Sequence, residues 1–482
     1  MPFLCGSLLL CFGPLAHAAD WQALRALERS GAVVTAEAVD LDSGAVLEQV
    51  NAAERLTPAS LTKLVVAADT LDVWAADKTF QTRLVGAGPF KDGTINGDLM
   101  LLGGGDSTFD HLSLWSLAEQ VRGRGVSAIN GRLVVDTAPF GPLGCETKDR
   151  CDALARSDTA YNAPLSAVAV DYGNWCVDIR PTGLGSPAVV STCGTAQAPI
   201  PVEGSIKTVS STAQPTFWVE RVTLPTGEVL RVGGDVPQGG TVSVYRSMSD
   251  PALGTGLMLR EVLREIGIPV SGTVDVVHTA PPIDAYPLAQ NDGLSLKEQL
   301  GRMLRFSNNY VADMLTLNVA AVQRAQAPAQ LADAARSLSD YVLRIKTDNK
   351  TGKPSAPPLF SGSGLTPENL LSAEDLTTVL AAQYRNTRDF PAFYGGLVVP
   401  RQAPFKFLRV GSPAWLDRVA LKTGTMDDPH SVCGIAGYLR KQNGGWIAFA
   451  AIVNGGQRMK HVPLYMAMEA ARGDVDSLLA RY

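Results

Sequence analysis

Apolar positions along the chain fall into two textures. Up to about residue 80 and again from about residue 285 they form helix-period stripes and unbroken strand-like runs, whereas in between short strand-sized runs alternate with turn signals. Residues 21–29 predict a short helix ended by Gly31, and residues 33–40 and 45–50 predict two strands joined by the turn Leu41-Asp42-Ser43-Gly44. The apolar run Leu64-Val65-Val66-Ala67-Ala68 predicts a helix beginning just before Ser60, with Thr57 as N-cap and Pro58 in the first turn.

Beyond residue 80, the runs 99–102 and 132–135 read as strands beside turns at Asn96-Gly97 and Asn130-Gly131, and 171–235 reads as a polar, β-rich stretch. Gly103-Gly104-Gly105-Asp106 lacks the Lys-Ser/Thr of a phosphate-binding loop, so it predicts a turn or close backbone packing. A helical pattern from Asp250 to Ile266, strands over 268–277 and the linker Thr279-Ala280-Pro281-Pro282 lead back to the first texture. There, helices are predicted over 294–304, from Ser307 through Leu315, over 331–343 and over 373–384. The turn Ser361-Gly362-Ser363-Gly364-Leu365 separates the last two, strands follow at 419–422, 431–439 and 446–453, and a helix closes the chain over 463–481.

Length turns this alternation into a domain expectation, because 482 residues exceed the roughly 250–300 at which single cores split. A net charge of −5 and a pI near 5.7 exclude the basic footprint of a nucleic-acid binder. Residues 3–15 are apolar and Ala16-His17-Ala18 offers a small-x-small cleavage pattern, so residues 1–18 are expected to be a signal peptide and the mature protein to be exported and soluble or loosely membrane-associated. No later run reaches the length of a spanning helix. Export implies an oxidising compartment, and Cys145 with Cys151 and Cys176 with Cys193 are the preferred bridges among three possible pairings. Cys433, within Val432-Cys433-Gly434-Ile435, is expected to be a buried, inert thiol. His111, His278, His430 and His461 are scattered, with no metal-ligand spacing; no metal or cofactor is expected.

The chemistry concentrates in three motifs. Ser60 and Lys63, three apart, lie on one face of a helix, so an amine stands beside a hydroxyl at a helix N-terminus, where the dipole disfavours ammonium. Ser307-Asn308-Asn309 and Lys422-Thr423-Gly424-Thr425 follow in order. The set S-x-x-K, S-x-N, K-T-G resembles that of penicillin-recognising serine acyl-transferases. With Gly103–Asp106, Asp250-Pro251-Ala252-Leu253, the run from Ser307 to Asp313 and the 361–365 turn, the whole mature chain resembles the type-4, class C low-molecular-mass penicillin-binding proteins, which are D-alanyl-D-alanine carboxypeptidases and endopeptidases.

The resemblance implies an α+β fold: a penicillin-binding/serine β-lactamase-like transpeptidase domain, an antiparallel sheet flanked by helices, with two inserted, mainly β domains. The expected division is 19–80 with 285–482 for the catalytic domain, 81–170 with 239–284 for the first insert and 171–238 for one nested within it. The resemblance also implies roles. Ser60 forms an acyl-enzyme, Lys63 is its general base, Ser307 relays a proton to the leaving amine, Asn309 holds Lys63 and the substrate amide, and Lys422 attracts the substrate carboxylate. Thr423, Gly424 and Thr425 bind substrate along the strand edge, with the Ser60 and Thr425 amides as oxyanion hole. Tyr161 and Asp158 are candidates for reading the amine of the third peptide residue. Implied partners are peptidoglycan muropeptides and, as covalent inhibitors, β-lactams. Asn308 and Ser361 stand where the family usually has acidic residues. A serine β-lactamase and a catalytically silent peptidoglycan binder of the same fold are the competing readings, the first weakened by Ser307 standing where class C β-lactamases place a tyrosine.

Overall fold

The structure is a computed structural model and describes residues 21–482 except 146, 148–150, 153, 156–157, 325–328 and 349–353; the expected signal peptide lies outside the described residues. A five-stranded antiparallel sheet organises the helix-rich part, in the order Val419–Met426, Val432–Arg440, Trp446–Asn454, Val33–Asp40, Val46–Val50. Chain ends therefore meet at its centre, where Ala36 pairs with Ala451. Both faces are covered. Ala436, Tyr438 and Ile452 pack into one core with the helices Thr62–Val73, Leu296–Phe306 and Ala373–Arg385, while Ile435, Phe449 and Val453 pack into another with the helices Gln22–Arg29 and Leu464–Arg481. Cover on both sides explains why residues 446–453 run apolar without alternation.

The helix Thr62–Val73 is buried from Thr62 to Leu71, with Leu64, Val65, Val66, Ala67, Ala68 and Leu71 fully buried, so it is the central post of its layer. Its start differs from the sequence expectation. Thr57 does not cap it: the Thr57 hydroxyl donates to the Pro367 carbonyl at 3.0 Å. Ser60 sits instead in a 3-10 turn, Ala59–Leu61, and the α-helix begins at Thr62.

The chain leaves this unit at the strand Gln81–Ala87 and returns along Tyr286–Asp292, which pair antiparallel. These two strands edge a second, mixed five-stranded sheet in the order Val274–Val277, Leu133–Asp136, Asp98–Leu102, Gln81–Ala87, Tyr286–Asp292. Gly104 lies against the Gln81 carbonyl, where a Cβ would collide, so the glycine run is close backbone packing as expected. Two helices cover the sheet, Pro251–Glu265 and His111–Gly123. The second was not anticipated, although its signal stands in the sequence: buried Leu114, Leu117, Ala118 and Val121 at helical spacing after Asp110, whose carboxylate accepts from the Ser113 amide at 2.8 Å.

A further excursion leaves along Asn174–Arg180 and returns along Val242–Ser247, which pair from Ser247↔Asn174 to Val242↔Ile179. Three small sheets lie within it, and their residues Leu230 and Val236 share one continuous core with Leu84 and Leu101 of the sheet below and Val262 of its covering helix. The structure joins Cys145 to Cys151 and Cys176 to Cys193, with Cα separations of 5.4 and 5.3 Å. Cys433 is buried, which pushes its thiol up to about 12, so it is inert at neutral pH.

Candidate active site

Two glycines and a leucine bring the nucleophile to the sheet. Gly424 of the edge strand pairs with Gly434 of its neighbour, and the Leu61 side chain sits over both; a Cβ at Gly424 would collide with the Pro58 carbonyl and one at Gly434 would come within 2.7 Å of Leu61 Cδ1. The missing side chain of Gly424 therefore makes room for the turn that carries Ser60.

Lys63 is fully buried, and its Nζ lies 2.9 Å from Ser60 Oγ, 2.8 Å from Asn309 Oδ1 and 2.6 Å from the Ser363 carbonyl. Asn309 Nδ2 donates to the Tyr161 carbonyl at 3.0 Å, which fixes the amide with its oxygen toward Lys63. Two of these neighbours of Nζ are thus pure acceptors. When the amine is neutral, its lone pair can take the proton of the Ser60 hydroxyl 2.9 Å away. That is the arrangement a general base needs.

The second lysine stands beside the second serine. Lys422 is 1% exposed; its Nζ lies 2.9 Å from Ser307 Oγ and donates to the Thr423 carbonyl at 2.6 Å. Burial, with the Lys63 cation adding to it, holds the Lys422 pKa well below the ordinary lysine range. Ser307 is no N-cap: it ends the helix Leu296–Phe306 in the left-handed conformation at φ 57°, and Asn308 caps the next helix by accepting from the Val311 amide at 3.0 Å. Asn308 thus does the capping work an aspartate would do, which accounts for that departure from the family pattern.

Sequence reasoning missed the role of the 361–365 turn, whose Ser363 carbonyl is a neighbour of Lys63 and whose Ser363 amide donates to Asp313 Oδ1 at 2.7 Å. Asp158 accepts from the Arg221 amide at 2.8 Å and pairs with Arg246 at 3.3 Å, outside the cavity beside the catalytic groups. That cavity, about 370 Å³, is walled by Tyr161, Asp171, Tyr172, Tyr245, Phe306 and the Ser307–Tyr310 turn, so its carboxylate is Asp171. Asp171 Oδ1 and Oδ2 each lie 3.1 Å from His111 Nδ1, and this hydrogen bond raises the His111 pKa. Tyr161 is at the rim, 64% exposed. Of the seven described non-glycine residues with left-handed φ, three line this cleft, Asp171, Tyr172 and Ser307, and a fourth, Ala59, precedes Ser60. Such backbone costs about 1–3 kcal/mol per residue and collects where function demands a particular geometry. Thr423 is buried and Thr425 exposed on the outer strand of the sheet. The one described group spaced for a metal, Cys176, Asp178 and Cys193, contains a disulfide.

A buried serine–lysine pair, a second serine–lysine pair and a helix-covered antiparallel sheet define the class of penicillin-recognising serine acyl-transferases. Residues 17–472 match the D-Ala-D-Ala carboxypeptidase 3 (S13) family, and the chain belongs to that family. It is 29% identical over 441 residues, 88% of this chain and 78% of the relative, to the D-alanyl-D-alanine carboxypeptidase of Actinomadura sp. strain R39. Among solved structures, penicillin binding protein 4 of Haemophilus influenzae shares the fold with a TM-score of 0.74 at 22% identity, over 95% of this chain and 99% of that one. A predatory peptidoglycan endopeptidase of Bdellovibrio bacteriovorus shares it with a TM-score of 0.52 at 14% identity, over 93% of each chain.

Proposed function

We propose that this protein is a serine D-Ala-D-Ala carboxypeptidase and DD-endopeptidase that acts on peptidoglycan stem peptides and cross-links and is acylated by β-lactams. The observation that carries the reading is the buried Lys63 Nζ held 2.9 Å from the Ser60 hydroxyl, beside Asn309 Oδ1 and the Ser363 carbonyl. Family membership sets the scissile bond.

In this reading Ser60 Oγ attacks the carbonyl carbon of the penultimate D-Ala while its proton passes to Lys63. The oxyanion forms against the Ser60 and Thr425 amides, each donor worth roughly 3–4 kcal/mol in acyl transfer. Ser307, with Lys422 behind it, delivers a proton to the departing amine, and Lys422 with Thr423 draws in the terminal carboxylate. Water then resolves the acyl-enzyme. Asn309 Oδ1 positions Lys63, while its Nδ2 gives one hydrogen to the Tyr161 carbonyl and keeps the other for the substrate amide. The tyrosine-walled cavity, with Asp171 in the place first given to Asp158, takes the third residue of the peptide, and Tyr161 closes over it.

The division into a catalytic unit, an insert and a nested insert follows the points where the chain leaves and re-enters each sheet, with the nested unit running on to Ser247. Export to the periplasm is part of the same reading: both bridges suit an oxidising compartment, and no described helix is long and apolar enough to cross a membrane. The test is labelling with a reporter penicillin, followed by product analysis on monomeric and cross-linked muropeptides. Covalent label on the wild type and none on Ser60→Ala is the expected result; a wild type that takes no label at neutral pH refutes the acyl-enzyme.

A further inference from the structure

Beside the tyrosine-walled cavity lies a second, open basin of about 440 Å³ whose wall includes Arg305, Arg401 and Arg409, together with Phe306 and Gln402, and no acidic residue. We propose that this basin is the leaving-strand subsite, which holds a carboxylate of the departing peptide when a cross-link is cut. The inference rests on the acyl-enzyme reading above and deepens it, since a carboxypeptidase has no use for such a site.

Placement is the first argument. Phe306 lines both cavities, so the basin begins one residue before Ser307 and adjoins the wall that would read the acyl strand. From the opposite direction, Val398 and Leu421 exchange two backbone hydrogen bonds of 2.9 Å, which fastens the segment leading to Arg401 against the strand at the residue before Lys422. The basin is therefore tied on both sides to the Ser307–Lys422 pair, the pair that faces the leaving amine.

Charge is the second. Three guanidinium groups share the wall, and each keeps donors in reserve. Arg305 spends one on the Gln402 carbonyl at 3.3 Å, Arg409 two on the Ala403 and Pro404 carbonyls at 2.8 and 3.3 Å, and Arg401 two on Asp417 at 2.5 and 2.6 Å. The Arg401–Asp417 pair is half exposed on both sides, so water and salt weaken it and an incoming carboxylate competes for the same fork. Guanidinium forks match carboxylates in geometry as well as in charge.

Chemistry is the third. Release of a terminal D-Ala expels an amine with its carboxylate one carbon away, within reach of Lys422 and Thr423. Cutting a cross-link expels the amine of a second peptide, whose chain-terminal carboxylate lies many bonds further out whatever group stands next to that amine. Anions at that distance need cations beyond Lys422, and the arginine basin supplies them.

The experiment compares hydrolysis of a cross-linked muropeptide dimer, the same dimer with only the chain-terminal carboxylate of its leaving strand amidated, and a monomeric pentapeptide, by the full-length protein. Arg401→Gln is the primary variant because it gives up only an exposed ion pair, and R401Q/R409K is the second. Expected are a loss in kcat/KM of about tenfold when the wild type meets the amidated dimer, and a similar loss when the variants meet the native dimer. In the variants, amidation then makes no further difference, and the pentapeptide rate changes less than about twofold. An amidation effect that persists unchanged in both variants overturns the subsite, as does an equal loss on dimer and pentapeptide. The penicillin label separates the two levels: a wild type that is labelled but indifferent to amidation loses only the basin, whereas one that takes no label loses the acyl-enzyme and the basin with it.

Discussion

In the helix-rich unit two lysines, Lys63 and Lys422, are fully buried and each lies 2.9 Å from a serine hydroxyl, whereas in the inserted unit Arg132 and Arg231 lie at the surface, paired with Asp98, Asp275 and Glu203. The contrast is one of cost. A buried ammonium loses its hydration and recovers it only through fixed acceptors, so its protonation becomes adjustable by its surroundings; an exposed guanidinium keeps its water and stays charged whatever happens nearby. Chemistry therefore collects in the first unit. The insert contributes shape, through the Tyr161 carbonyl that sets Asn309 and through the wall at Asp171 and Tyr172.

Removing the buried pair should break this contrast most severely. Lys63→Ala takes the base from Ser60, and the second-order rate of acylation by penicillin is expected to fall by about 10²–10⁴ while the fold, read by circular dichroism, survives. Retention of more than a tenth of the rate would place the base elsewhere. Gly424→Ala is next: the new Cβ meets the Pro58 carbonyl, so the nucleophile turn must shift, with an expected stability loss of about 1–3 kcal/mol and a fall in acylation of tenfold or more. The matched control, Gly239→Ala in the insert, has open space around it and should change neither.

A smaller effect is expected from Asp69, on the Ser60 helix, buried with one oxygen lacking a described partner and with its pKa pushed up to about 7 by burial, Asp72 adding to it. Between the ordinary 3.8 and about 7 the folded chain binds more protons at this group than the unfolded one, so stability falls as pH rises through that window and the loss is complete above it. Asp69→Asn should remove the slope and stabilise the protein at pH 8 by roughly 2–4 kcal/mol; urea unfolding at pH 5 and pH 8 checks it. The smallest effect belongs to the insert. Arg132→Ala breaks two exposed ion pairs and should cost under about 1 kcal/mol, less in high salt, with acylation unchanged.

The parts of the site that were legible are those made of side chains at local spacing. Ser60 and Lys63 are one turn apart whatever precedes them, and Lys422 stands out through the Lys-Thr-Gly motif and the family resemblance it supports. Main-chain groups left no such trace: the Ser363 and Tyr161 carbonyls that orient Lys63 and Asn309 come from remote segments, and any residue could supply them. Asp158 and Asp171 are equally plausible as letters. Only the folded chain shows that Arg246 and the Arg221 amide occupy the first, while the second faces the cavity. The helix His111–Gly123 was readable from its cap and spacing, but glycine turns on either side masked it.

What the amino-acid order determined by itself is the chemistry available, because hydrophobic period, motif spacing and nucleophile–base proximity within one helical turn are local properties. Only the tertiary structure decided which groups meet. Lys63 and Asn309 are 246 residues apart, and Ser307 and Lys422 are 115 apart. Those meetings depend on two covered faces of one sheet, on Leu61 settling over a pair of glycines, and on an insert that returns its chain to the strand it left. Packing of that kind is a sum over the whole molecule, and no short stretch of sequence contains it.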